Sequence, residues 1–498
     1  MNRRHFLNRS AAGTLAGVLS HQASPAAPAT MAQHVPARIG SGPDIPLPAG
    51  KREPFAWKTS AAGAEPLLLD WPDFPSGATA TALRLTVGMD VRDEKLIEAW
   101  LPQSGRVLGT FDVRYGCLFQ VFEIPLQADD TAAIRREGLG LRLTRGSELR
   151  IFTAGEGIPA ALLPHLLVPG TADRMTEYLA GMDSPACVQS FSWQGGCVLD
   201  GLMDLSGLPA HIHLRDAARR QLARYVIDGK LVYENHVSSI SDGRIYGIEG
   251  TLPFAALAQL EPQHPLLELA LKFWAEQRGG EDAVLDGQHT SSEGCYTVGY
   301  PMAVIGKIRQ DDALQQWALT QLRVRQARLF DGTMFWRTSE PKDGVVQKGN
   351  RAWARGIGWQ LLGFARTLRE LNHRSDLAEL IISFQQLAAW VMPFQRPDGL
   401  WSVFVDKPDL PPDTSGSAGI AAALAIGAQQ GWLDNTAKSA AAKTLTGLLP
   451  HLTPDGFLGG VSQANKGGEP LQRGSYRVIY QMGMGLMAQL IAVLEGGK

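Results

Sequence analysis

Along the C-terminal two-thirds of the chain, stretches in which nearly every position is apolar or small alternate with stretches whose apolar residues recur at helical spacing between charged ones. The first kind begins near Trp193 (WQGGCVLDGLMDLS), Glu249 (EGTLPFAALAQL), Glu293 (EGCYTVGYPMAVIGKI), Arg355 (RGIGWQLLGFARTLREL), Thr414 (TSGSAGIAAALAIGAQQG) and Tyr476 (YRVIYQMGMGLMAQLIAVLEG). Gly, Ala and Ser around the circumference let helices approach closely and suit burial on all sides. The second kind covers 173–184, 211–227, 262–278, 310–328, 375–395 and 434–448 and reads as an outer, amphipathic layer. Asp-Gly pairs begin at 242, 286, 331, 398 and 455, at spacings of 44, 45, 67 and 57, and punctuate the repeat. Six inner and six outer helices predict a closed (α/α)6 toroid over residues 169–498, since an open array needs polar capping repeats at its ends.

Upstream the period changes. From 66 to 168, short alternating runs such as ALRLTVGMDV and RVLGTFDVRYGCLFQVFEIPL, separated by turn residues, predict a β-sandwich-like accessory domain. Residues 33–65 are rich in Pro and Gly and read as an extended linker. The fold class is therefore mainly α, with an N-terminal β domain. Residues 1–32 carry paired arginines, Arg3 and Arg4, then Phe6-Leu7 and a weakly apolar run, which resembles a twin-arginine export signal. That predicts passage through the Tat translocase to the periplasm or the exterior. The apolar run is too short to span a bilayer.

Composition narrows the function. A formal net charge of −2, with no basic run beyond the N-terminus, excludes an electrostatic footprint for nucleic acid. Four cysteines, Cys117, Cys187, Cys197 and Cys295, show no metal-ligand spacing. Cys187 and Cys197 are open to a disulfide or to free buried thiols. Histidines are scattered and no Gly-rich phosphate loop follows a strand, so neither metal nor cofactor is expected.

The loops ahead of the inner helices hold the unusual residues: Tyr246 and Glu249; His289, Glu293 and Tyr300; Trp353, Arg355 and Trp359; Trp401 and Thr414; Tyr476. Aromatic faces stack on pyranose C–H groups, carboxylates perform acid/base work and Arg pairs with a uronate carboxylate, so the set suits acidic sugars. The Asp of each Asp-Gly pair is expected to serve the turn. Glu249 and Glu293, at the predicted starts of two inner helices, are the candidate catalytic pair, with helix capping as the competing role. Asp413 is expected as a cap or hydroxyl ligand.

The stretch WARGIGW from Trp353 to Trp359, with PDGLWSVFVDKPDLPPDTSGSAGIAAAL from Pro397 to Leu424, resembles the six-hairpin glycosidases of glycoside hydrolase families 88 and 105, the unsaturated uronyl hydrolases. The resemblance spans about 180–495. It implies that Arg355 binds the substrate carboxylate, that Trp353 and Trp359 line the uronate subsite, and that Thr414 and Ser415 make polar contacts. At the places of the family's two catalytic aspartates this chain has Val298 and, near the second inner helix, Tyr246. Val cannot donate a proton. The favoured expectation is a hydrolase for a saturated uronide, with Glu249 and Glu293 as acid and base or nucleophile. The alternatives are an unsaturated uronyl hydrolase with a displaced acid, a uronate lyase using Tyr246, His236 or His289, and a carbohydrate-binding protein without activity.

Overall fold

A computed structural model of the chain describes residues 29–42, 50, 59–61, 65–89, 92–153, 158–342 and 345–496. The expected export signal lies almost wholly outside them. Residues 33–36 and 38–41, expected within an extended linker, are instead strands of the β domain. Their backbone pairs with 165–168 and 67–70, which satisfies its donors and acceptors.

The β domain holds two antiparallel sheets. One runs in the order 33–36, 165–168, 82–89, 150–152, 59–61, with 121–125 also pairing 82–86; the other runs 38–41, 67–70, 139–145, 94–100, 107–114. Strand 94–100 alternates buried and half-buried side chains, the period-two pattern of a sheet with one face on a core. Leu83, Leu85 and Ile151 from the first sheet join Leu69, Ile97 and Leu141 from the second in that core. Helix α1 (Asp130–Glu137) lies between strands.

Helices then alternate in layers: α2 (Arg174–Asp183), α3 (Trp193–Ser206), α4 (Leu214–Ala223), α5 (Pro253–Leu260), α6 (Leu267–Glu276), α7 (Tyr300–Arg309), α8 (Asp312–Leu329), α9 (Ala354–Glu370), α10 (Ala378–Val391), α11 (Thr414–Gln429) and α12 (Asn435–Leu448), followed by the short α13 (Gly468–Arg473) and by α14 (Gln481–Gly496). The small-residue helices are the buried ones: residues 414–427 of α11 are buried without exception. Each packs on the next in the order α3, α5, α7, α9, α11, α14, and α14 packs back on α3.

Glycine makes the last contact possible. A Cβ at Gly485 would collide with the Cys197 carbonyl of α3, and one at Gly201 with the Gly485 carbonyl of α14. Gly485→Ala is expected to force these helices apart and lower stability by about 1–3 kcal/mol, read as a fall in the thermal unfolding midpoint; an unchanged midpoint would show that the pair can slide.

Several elements depart from the sequence expectations. The two inner helices expected to start at Glu249 and Glu293 begin later, at Pro253 and Tyr300, because a 3-10 turn (Ile248–Thr251) and a π-helical turn (Cys295–Gly299) precede them. The helix expected near Tyr476 starts at Gln481. Residues 336–342 and 345–351, expected as loop, form a β-hairpin that pairs with Thr290–Ser291. The five Asp-Gly glycines all hold positive φ, from 60° to 87°, where glycine alone is unstrained. Their aspartates act as turn residues in several units: Asp331 Oδ1 accepts from Met334 N at 2.8 Å and Asp398 Oδ1 from Leu400 N at 3.0 Å.

Asp455 does more. With Arg84 of the β domain it forms a buried ion pair that Glu123 extends, the Arg84 Nη2 to Glu123 distance being 2.9 Å. Gln481 Nε2 donates to Phe119 O at 2.9 Å, and the Tyr476 hydroxyl bridges Arg114 N and Asp112 O, so the two domains share a polar seam.

Candidate active site

A cavity of about 250 Å³ opens where the loops ahead of several inner helices meet. The start of α3 contributes Trp193, the loop before the 3-10 turn His236, and the turn itself Glu249. Glu293 precedes the π-helical turn; Arg337 comes from the hairpin; Trp353, Arg355 and Trp359 come from the start of α9. Ala464, Asn465 and Lys466 close one side, and Arg92 enters from the β domain.

The carboxylates share this space with like charge. Burial raises the Glu249 pKa most, the charge of Glu293 adds to it and then that of Asp286, while Arg337 and Arg92 oppose, leaving Glu249 near 8. Burial also raises Asp286, with Glu293 next in effect. Glu293 Oε1 lies 3.3 Å from Arg337 Nη2. Its other oxygen, and Arg337 Nε, are buried without a hydrogen-bond partner. Orphaned buried polar atoms of this kind are uncommon and call for a bound partner.

His236 is buried and held neutral, its pKa lowered to about 3 by burial first and then by Arg92. Arg355 is buried against the faces of Trp353 and Trp193, at 4.7 and 5.7 Å from the ring centres. Its Nη1 donates to Ser462 O at 2.6 Å and Ser462 Oγ at 2.9 Å, and Nη2 to Gln463 O at 2.9 Å. Behind it, Asp413 caps α11 by accepting from Ser415 N at 3.1 Å and also accepts from Ser462 Oγ at 2.8 Å. Burial would raise Asp413, but the Arg355 charge and these bonds hold it below the usual carboxylate range.

The structure thus brings together Glu249, Glu293, Arg355, Trp353, Trp359 and His236, and disperses the rest. Tyr246 is exposed and lines a neighbouring depression with Asp286. His289 pairs with Glu340 at 2.6 Å. Tyr300 is fully buried, accepting from Arg366 Nη2 at 2.7 Å. Trp401 is buried with its indole donating to Val391 O at 3.0 Å, and Thr414 donates to Gly459 O at 2.8 Å. Tyr476 belongs to the seam between the domains. In each case but that of the exposed Tyr246 a protein partner already takes the polar atom or packing takes the ring, so sequence position ahead of an inner helix did not translate into a place at the cavity. Val298 is buried within the π-helical turn.

Under the cavity floor, Trp359 stacks on Tyr296 at 5.8 Å, and Tyr296 donates to Asp200 Oδ2 at 2.5 Å. Arg366, Asp204 and Gln489 continue this buried network. Sequence inspection missed it, along with Arg92 and Lys466. All four cysteines are buried and none is in a disulfide, so Cys187 and Cys197 are not bridged. Among the described residues no cluster of His, Cys, Asp and Glu could hold a metal ion.

The sequence model of Glycosyl Hydrolase Family 88 matches residues 293–493. No curated protein matches the chain. Among solved structures it is similar to a possible glycoside hydrolase family 105 member from Salmonella enterica, at 17% identity and a TM-score of 0.56, covering 65% of this chain and 93% of that one. A family 105 glycoside hydrolase from C. acetobutylicum superposes with a TM-score of 0.55 at 16% identity, covering 65% and 98%. A structure described as a polysaccharide lyase does so with a TM-score of 0.51 at 21% identity, covering 65% and 95%. At such identities these likenesses establish a shared fold. Together with the matched segment they make the chain a glycoside hydrolase that resembles the six-hairpin glycosidases of families 88 and 105.

Proposed function

We propose that the chain is an exported hydrolase that releases a terminal uronate from an acidic oligosaccharide, with Glu249 as general acid and Glu293 as base or nucleophile. The observation that carries this is the meeting of two carboxyl groups in one small aromatic-walled cavity, Glu249 with its pKa raised to about 8 by burial and Glu293 at 3.3 Å from the Arg337 guanidinium. A carboxyl whose pKa is raised by burial suits the acid of a glycosidase. A volume near 250 Å³ lies below the usual range for drug-sized ligands and favours one sugar ring, hence attack at a chain end. We read the cyclic packing of the inner helices as an (α/α)6 toroid with this cavity at its mouth. Arg355, its terminal nitrogens engaged by Ser462 and Gln463, supplies positive charge to the uronate subsite from behind Trp353. Export by the twin-arginine route, read from Arg3 and Arg4, is part of the proposal.

The testing experiment is incubation with defined saturated and 4,5-unsaturated uronides while free uronate and ultraviolet absorbance are followed. Release of uronate with no absorbance change supports the proposal. Loss of absorbance would instead identify an unsaturated uronyl hydrolase, and a gain a lyase. The lyase reading rests on the fold shared with a polysaccharide lyase and on His236 at the cavity. A histidine whose pKa is near 3 is a weak base, which favours hydrolysis. Binding without turnover on any uronide would favour a carbohydrate-binding protein.

Because the acid must carry its proton, kcat/KM is expected to hold through neutral pH and to fall as pH rises past about 8, where Glu249 ionises. A pH–rate profile checks this; a decline already complete below pH 6 would remove Glu249 from the role.

A further inference from the structure

A depression of about 330 Å³ adjoins the catalytic cavity through residues 244–249: Tyr246, Gly247 and Ile248 line the depression, and Glu249 lines the cavity. A Cβ at Gly247 would stand 3.4 Å from Glu249 Oε2, so the Glu249 carboxyl lies against backbone of the depression. The rings repeat this arrangement. His236, on the cavity side, meets Tyr246, on the other, edge to face with centres 5.7 Å apart. Glu249 therefore belongs to the wall between two hollows.

The depression carries the groups a sugar needs. Tyr246 is 41% exposed, and among the described residues it is the one Phe, Tyr or Trp that open to solvent. Its place is fixed by its backbone N, which donates to the buried Tyr233 hydroxyl at 3.0 Å. Phe273, at the end of α6, and Leu285 add apolar surface. Asp286 supplies a carboxyl. Asp331 and Asp398 spend their side chains on their turns, whereas Asp286 forms its turn through backbone bonds with His289, at 2.9 Å in both directions.

We propose that this depression binds the sugar next to the terminal uronate, so that Tyr246 and Asp286 select the leaving group. This rests on the uronate hydrolase reading above. A general acid protonates the oxygen that joins two rings, so it must stand between the sites that hold them, as Glu249 does. The face of Tyr246 stacks on the C–H face of a pyranose, and the Asp286 carboxyl meets its hydroxyls. Steady-state kinetics of the full chain test this on disaccharides in which glucuronate or galacturonate is linked to glucose, and on the matching methyl uronides, which have no second ring. Wild type is expected to favour a disaccharide at least about tenfold in kcat/KM, because binding energy from the leaving sugar is used in the transition state. Tyr246→Ala is expected to cut that preference about threefold to tenfold, and Tyr246→Phe, which keeps the flat face, to retain it. Tyr246→Leu takes the place of the alanine variant if that one does not fold. A preference that survives loss of the ring, or wild type that cleaves methyl uronides as well as disaccharides, overturns the second sugar site and leaves the uronate reading standing. Wild type that cleaves no uronide of either kind overturns both.

Discussion

Glu249→Gln and Glu293→Gln are each expected to lower kcat by about 10²–10⁴-fold, the usual worth of a positioned acid or base, with KM little changed because Gln keeps the shape of the side chain. The two substitutions should not multiply, since both groups serve one transition state. Stability gives an independent readout at Glu249. Its folded pKa is raised, so the folded chain holds the proton more tightly than the unfolded one, whose Glu titrates near about 4.3. That advantage is complete in acid and is lost as pH rises towards 8. Glu249→Gln should therefore unfold at a higher temperature than wild type at pH 8 and lose that margin progressively as the pH falls from about 8 to about 4.3. Full turnover in both variants on a uronide that wild type cleaves would sink the assignment of the pair.

Asp413→Ala should be the most damaging change for stability, at about 3–5 kcal/mol, the cost of stranding a buried charge. Asp413 is wholly buried, accepts from Ser415 and Ser462, and is the first-ranked charge acting on Arg355. Its folded pKa is depressed, so the stability it confers is present above about pH 3.9 and is lost as pH falls through the folded value. The difference between wild type and variant should accordingly shrink in strong acid. Denaturant unfolding across pH 3 to 7 measures it, and a cost below about 1 kcal/mol at pH 7 would show that Arg355 is held by its carbonyl partners alone. Release of Ser462 should also loosen Arg355, so kcat/KM is expected to fall with stability.

The helical layers were legible because their signal is local: small residues around a whole helix, amphipathic spacing between, and a Gly that must take positive φ after each turn aspartate. The expected outer helix at 310–328 runs Asp312–Leu329, and the one at 434–448 runs Asn435–Leu448. Glu249 and Glu293 were legible for the same reason, as carboxylates set beside glycines ahead of apolar runs. What failed was the discrimination between aromatic residues that line a cavity and those that fill a core. Tyr300 and Trp401 have the residue type of a sugar site but serve packing, and only three-dimensional partners separate the two roles. Arg92 was missed because its arrival at the cavity depends on how the β domain docks, which no periodicity records.

The contact between α14 and α3 joins the last helix to the first inner one, across nearly 300 positions of sequence. Loop closure on that scale is slow, and a chain emerging N-terminus first cannot make it until α14 has been synthesised. Until then α3 and α11 present unmatched glycine-rich faces to water, and the floor beneath Trp359 lacks Gln489. The enzyme should therefore acquire its cavity in one late step, all at once, which makes the sixteen-residue α14 the point at which a nascent chain becomes either active or aggregation-prone.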